Sequence, residues 1–171
     1  MNKTKWKIDK AHSQIGFEIM HMKLSSINGY FDEFEAYAEA SDDTFMDSKF
    51  NLIAKIQSIN TKNKDRDKHL KSDDFFNSEK FPESTFKSKS FDGKTVIGNL
   101  TIRDVTQEVV LDVDFNGVVI DIYGQTKTGF EVTGTINRKD FNINWNAVTE
   151  AGIIMLSDKV KLRVNLQFIK Q

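Results

Sequence analysis

The chain has 171 residues, with 24 basic and 25 acidic side chains and a formal net charge of −1. That length suits one domain with a core that needs no disulfide or structural metal, and the complete lack of cysteine removes a disulfide framework, a thiolate nucleophile and a cysteine zinc site. The charges are intermixed rather than gathered in a basic stripe, so nucleic acid is not an expected partner.

Residues Met1 to Lys10 carry no apolar h-region and no small-residue cleavage site, so a cytoplasmic protein is the expectation, periplasmic or secreted only if a signal peptide was removed. No apolar run approaches the roughly 18 to 20 residues of a membrane span. Phenylalanine is abundant, at 14 residues against 3 tyrosines and 2 tryptophans. These rings need a place to be buried.

In chain order, period-two alternation dominates. Ile15, Phe17 and Ile19 share one face of the first long strand. Beyond Phe34 the same-face positions are Ala36, Ala38 and Ala40. Phe50, Leu52, Ala54 and Ile56 follow, and later Phe86 with Ser88 and Ser90. Val96, Gly98, Leu100 and Ile102 form the next set, then Val109, Leu111, Val113 and Phe115. Phe130, Val132, Gly134 and Ile136 precede Phe141, Ile143 and Trp145. The C-terminal run is the clearest: Val160, Leu162, Val164, Leu166 and Phe168 face one way, and Lys159, Lys161, Arg163, Asn165 and Gln167 the other. Turn signals stand at Ser41-Asp42-Asp43, Asp92-Gly93, Asn116-Gly117 and Tyr123-Gly124. The pattern predicts an all-β chain, a single up-and-down antiparallel barrel of about eight strands or a sandwich.

One stretch departs from it. Thr61 to Asn77 is charged and lacks alternation. A short helix over Asp65 to Ser72, then a turn carrying Phe75 and Phe76, is predicted there as a lid or plug at one barrel end. Alanine, serine and glycine at inward positions admit two readings. Either the barrel is hollow, or large residues on facing strands fill the gaps as in any well-packed core.

The three histidines, His12, His21 and His69, lack ligand spacing, and no metal is expected. Arg66 and His69 share a helix face. Anchoring of the lid, with Arg138 or Asp140 as a partner, is the preferred role; contact of Arg66 with an anionic headgroup is the alternative. No G-x-S-x-G elbow or phosphate loop occurs.

The motif order resembles the YceI-like family of lipocalin-like, polyisoprenoid-binding proteins. The residues that carry it are Trp6-Lys7-Ile8-Asp9, His12-Ser13, Ile15-Gly16-Phe17, His21, Gly29-Tyr30-Phe31 and Phe34. Ser58-Ile59-Asn60-Thr61 leads into Arg66-Asp67-Lys68-His69-Leu70, the most specific piece. Asp74-Phe75-Phe76, Phe81-Pro82, Thr85-Phe86, Gly98-Asn99-Leu100-Thr101-Ile102, Asn137-Arg138-Lys139-Asp140-Phe141 and Asp158-Lys159-Val160 complete it. Asn142 and Arg103-Asp104 depart from it, at positions where glycine is common; local turn geometry is what they put in question.

The resemblance implies a long polyisoprenoid or quinone-like lipid inside the barrel, held as carrier, store or sensor. It implies no catalytic set and no other cofactor, so a non-enzyme is expected; the alternatives are an enzyme acting on a quinone or isoprenoid, with His69 or His21 as acid or base, and a stress-linked interaction module whose lipid is structural. The expected lining combines Phe17, Ile19, Phe34, Ala36, Ala38 and Leu52 with Ala54, Ile56, Phe75, Phe76, Phe86 and Ser88. Leu100, Ile102, Leu111, Val113, Phe130, Val132, Phe141 and Trp145 complete it, with His21, Arg66 and His69 as headgroup or lid contacts. A homodimer is a further expectation.

Overall fold

Eleven strands run antiparallel to their sheet neighbours in the computed structural model, which describes residues 2–171. They are β1 (Thr4–Ile8), β2 (Gln14–His21), β3 (Ser25–Phe31), β4 (Phe34–Ala40), β5 (Lys49–Lys55) and β6 (Ile59–Asn60). Then come β7 (Glu83–Phe91), β8 (Thr95–Ile102), β9 (Val105–Ile120), β10 (Thr126–Asn137) and β11 (Leu156–Lys170). Three of the barrel's eight staves are broken strands: β1 with β2, β3 with β4, and β5 with β6. The first break is the 3-10 turn Lys10–His12, where the Asp9 carboxylate accepts the Ala11 N–H at 3.2 Å.

Staves pair in chain order, and β11 closes the barrel on both β1 and β2. Trp6 lies opposite Lys170, and Phe17 opposite Leu162. Closure satisfies the long ladders over most of the circumference. It is interrupted at one place. β6 is two residues long and pairs with β3 at Tyr30 and Phe31 but not with β7. The segment from Thr61 to Pro82 carries the wall across this gap. Its helix, α1 (Lys64–Leu70), starts where the Asn63 side chain accepts the Arg66 N–H at 3.0 Å. The helix thus starts one residue earlier and ends two residues earlier than the sequence predicts, and tight turns run from there to Phe76.

Two sequence expectations about elements fail. Phe141 to Trp145 is not a strand. Phe141 ends a 3-10 turn (Arg138–Phe141), and Asn142 follows in the left-handed region at φ 60°. The Arg138 guanidinium donates to the carbonyls of Ile143 at 3.0 Å and Trp145 at 2.7 Å, so that backbone is satisfied without a partner strand. Asn116-Gly117 is not a turn between strands but lies inside β9. Gly117 takes φ 81° opposite a register shift in β10, and Thr128 Oγ1 donates to its carbonyl at 2.8 Å. A glycine in the left-handed conformation serves a bulge as readily as a turn.

The small inward residues divide the barrel into a filled end and a hollow one. At the filled end, Ala38 lies between Trp6 and Phe50 on the neighbouring strands. Phe45, from the β4–β5 loop, is fully buried with its ring 5.1 Å from Trp6, 5.4 Å from Phe115 and 5.3 Å from Phe130. Phe50, Phe91 and Phe168 pack around the same group. This aromatic plug seals one end of the barrel.

Candidate functional site: a one-ended apolar cavity

Beyond the plug the barrel encloses a cavity of about 400 Å³. That lies within the range of roughly 300 to 1,000 Å³ typical of small-molecule sites. Inward-pointing Phe17, Leu52, Phe86, Leu100, Val132 and Leu162 remain partly accessible because they face this void rather than one another. The expected inward glycines are no source of space. A Cβ on Gly134 would stand 2.3 Å from Leu111 Cδ2, and one on Gly98 would stand 2.5 Å from Phe86 Cζ.

The walls include Phe17 and Ile19 of β2, Leu52 and Ala54 of β5, and Phe86 of β7. Leu100 and Ile102 of β8, Leu111 and Val113 of β9, and Phe130 and Val132 of β10 stand on the same lining. Phe75, Phe76, Trp145, His21, Arg66 and His69 also reach it.

Six expected lining residues do not. Ala36 and Ala38 are covered by the neighbouring side chains of the plug end, and Phe34 is packed into the same core. Ile56 turns away in the 3-10 turn Ile56–Ser58. Ser88 Oγ accepts the Phe50 N–H at 2.8 Å, which binds it to the sheet. Phe141 packs instead with Phe75, Ile136 and Ile143 in a second core cluster. Alternation identifies the inward face but not the depth along the barrel axis, and depth is what separates these residues from the cavity.

The lining residues missed from the expected set include Leu162, Val164 and Leu166 of β11, Ile27 and Phe31 of β3, and Leu70 of α1. The β11 alternation is the plainest in the sequence and would have found the first three.

The segment over the gap is held by Arg103 rather than by Arg138 or Asp140. Arg103 Nη1 donates to the carbonyls of Asp73 and Phe75, each at 2.8 Å, and Nη2 lies 3.0 Å from Asp73 Oδ1. Arg103 sits in the β8–β9 turn at φ 58°, in the left-handed region. His69 Nε2 lies 2.8 Å from Asp74 Oδ2, and its ring stands edge-on to Phe75 and Trp145 at 5.0 and 4.9 Å. Phe76 packs edge-on against Phe31 at 5.9 Å. His12 pairs with Asp9 at 2.9 Å, outside the cavity.

The polar chemistry at the cavity is sparse. Ser84 Oγ is taken by the Thr101 carbonyl at 2.7 Å. Buried Arg138 serves the three carbonyls of Ser157, Ile143 and Trp145. Burial pulls its guanidinium below the ordinary arginine value, and Asp158 acts in the opposite direction. Among the described residues, no cluster of three His, Cys, Asp or Glu side chains could hold a metal ion. None of the described helices is long and apolar enough to cross a membrane.

The model of the YceI-like domain matches residues 6–168 of this sequence. The chain belongs to the YceI-like family. Its relatives include UPF0312 protein SA2479 of Staphylococcus aureus strain N315, 42% identical over 166 residues, covering 96% of this chain and 97% of the relative. A Campylobacter jejuni YceI protein, known from crystals with large solvent channels, is similar in structure with a TM-score of 0.74 and 32% identity, covering 95% of this chain and 96% of that one. Two more distant structures share the fold. Burkholderia cenocepacia BcnA has a TM-score of 0.79 at 19% identity, covering 94% of this YceI-like chain and 98% of its own. A polyisoprenoid binding domain from Saccharophagus degradans has a TM-score of 0.69 at 14% identity, with 97% and 98% covered.

Proposed function

We propose that this chain binds the long apolar tail of a polyisoprenoid or quinone-like lipid in the barrel, as a carrier, store or sensor rather than an enzyme. The observation that carries this reading is the cavity: about 400 Å³, walled almost wholly by aliphatic and phenylalanine side chains and closed on one side by the aromatic plug. The fold-level likeness to a polyisoprenoid binding domain supports it. A buried CH₂ contributes about 0.8 kcal/mol, so one five-carbon isoprene unit is worth roughly 3 to 4 kcal/mol gross. A few such units suffice for about micromolar binding after the tail has been ordered. Little polar contact is then needed for affinity. A pocket of this kind holds a tail by exclusion from water, not by recognition of polar groups along it.

The plug sets a limit on the tail. Phe50, Phe91 and Phe130 form the floor of the cavity, so a longer chain must leave its excess outside the mouth. Titration of delipidated protein with geranylgeraniol, followed by the fluorescence of Trp145 at the mouth, tests the reading. Saturable binding, abolished by Val132→Trp, is expected. A linear, unsaturable response in the wild-type protein contradicts it.

A further inference from the structure

The cavity has a polar annex. A separate open pocket lies between the edge of β3 and the chain from Thr61 to Arg66, and it shares His21, Ile27 and Arg66 with the apolar cavity. It sits at the gap in the barrel wall, where β3 pairs with β6 only at Tyr30 and Phe31. From Ser25 to Gly29 that edge of β3 has no strand beside it among the described residues. Unpaired backbone donors at a strand edge are open to an outside acceptor.

The charges that line this pocket are basic; Glu18, which stands beside it against Ser26, is already paired with Arg163. Lys62 and Arg66 line it, and no carboxylate does, although the chain has 25 acidic residues. Of the remaining polar lining, Ser25, Asn28 and the ring of His21 can donate hydrogen bonds, whereas the Ser26 hydroxyl already donates to Met20 Sδ at 3.4 Å.

Arg66 is the distinctive member. Arg103 pairs with Asp73, Arg138 lies 3.9 Å from Asp158, and Arg163 lies 3.3 Å from Glu18. Among the described residues Arg66 makes no ion pair. It is positioned nevertheless. Its Nε donates to Thr61 Oγ1 at 2.8 Å and its Nη2 to the Thr61 carbonyl at 2.6 Å. Asp67 meets the same threonine, accepting the Thr61 N–H at 2.9 Å and its hydroxyl at 2.5 Å, and does not line the pocket. The Arg66 Nη1 is left with no hydrogen-bond partner among the described residues. A held guanidinium with a free edge and no carboxylate is an acceptor-seeking group.

We propose that this annex is an anion site: the ligand's head is an oxyanion, phosphate or carboxylate, read by Arg66 with Lys62 while the tail lies in the barrel. The proposal rests on the lipid-tail reading above. The shared residues place the anion site where a tail leaving the cavity would carry its head. Lys62 is exposed and has no ion pair among the described residues, so it adds long-range attraction rather than fixed geometry. The site would distinguish an anionic amphiphile from a neutral alcohol or quinone with the same tail.

The test pairs two probes, geranylgeranyl phosphate and geranylgeraniol, titrated into delipidated full-length protein. The wild-type chain is expected to bind the phosphate at least tenfold more tightly, with that advantage shrinking as salt is raised. Arg66→Gln should bring the ratio close to one, and Lys62→Gln should lower it by a smaller factor. Lys159→Gln, which removes the same charge from the outer face of β11, should leave it unchanged. A wild-type ratio near one, or a ratio untouched by both R66Q and K62Q, overturns the anion site while the lipid-tail reading stands. Binding of neither probe overturns both. Inorganic phosphate is the third arm. If it alone binds as tightly as the tailed phosphate, the annex is a site for free anions, and the headgroup assignment is wrong.

Discussion

The ring of Phe86 occupies the space that a side chain at position 98 would need. A Cβ on Gly98 would stand 2.5 Å from Phe86 Cζ and 2.6 Å from the Lys87 carbonyl oxygen. The glycine is therefore the floor beneath an aromatic ring on the next strand, as in other sheets where an aromatic covers a glycine. Because one of the two contacts is backbone, rotation of the ring cannot relieve both.

Gly98→Ala should accordingly destabilise the barrel by about 1 to 3 kcal/mol, the usual range for overpacking a filled site. Chemical denaturation of the variant checks this. An unchanged midpoint would mean that the β7–β8 ladder moves apart without cost.

The pairing over the barrel gap makes a prediction about acid. Hydrogen bonds from the Arg103 side chain, then from Asn77, hold the Asp73 carboxyl below its ordinary value of 3.8. A carboxyl lowered by folding stabilises the native state above its ordinary pKa, and this contribution is lost as pH falls through the lower folded value. Wild-type protein should be more stable than Asp73→Asn at neutral pH, and the difference should begin to shrink below pH 3.8 and close only below the lower folded value. Unfolding of both proteins at neutral and acid pH measures it. A difference that stays constant across that range would remove Asp73 from the account.

Arg138→Met should destabilise the chain by about 3 kcal/mol. It leaves three carbonyls that now receive its guanidinium without a donor, and loss of a buried donor costs about 1 to 3 kcal/mol per orphaned group. Hydrogen exchange should rise first in residues 142–147, the irregular stretch that Arg138 holds. Uniform loss of protection across the barrel would contradict a local anchoring role.

Much of the barrel was legible in the sequence because a strand with one wet face shows its period directly. Val160 to Phe168 is the plainest case, and it is one of the longest strands. Less legible was what lies opposite what. Ala38 looks like empty space in a linear reading, yet register places it across from Phe50 and beside Trp6. Phe45 sits among polar turn residues, Asp42 and Asp43 before it and Asp47 after it, and nothing local announces that it folds back as the plug. Those are long-range facts of pairing. The site was legible in the same measure. Arg66 and His21 stand out as polar residues near the mouth, but the interrupted ladder at β6, which opens the annex, follows from a strand only two residues long.

The plug also predicts selectivity for tail length. Phe50 contributes to the cavity floor and packs on Phe91 at 6.0 Å and Phe130 at 5.1 Å. Phe50→Leu should deepen the cavity and shift the preferred tail toward longer chains in a series of prenyl alcohols, at a stability cost of about 1 to 2 kcal/mol. A series with the same optimum as wild type would show that the floor lies elsewhere.

Native mass spectrometry of the protein as purified tests the central claim most directly. The account predicts a population heavier than the apo chain by one discrete lipid mass, which organic extraction removes and Val132→Trp prevents. A chain that carries no such mass, and that takes up no long-tailed lipid after refolding in its presence, would contradict it.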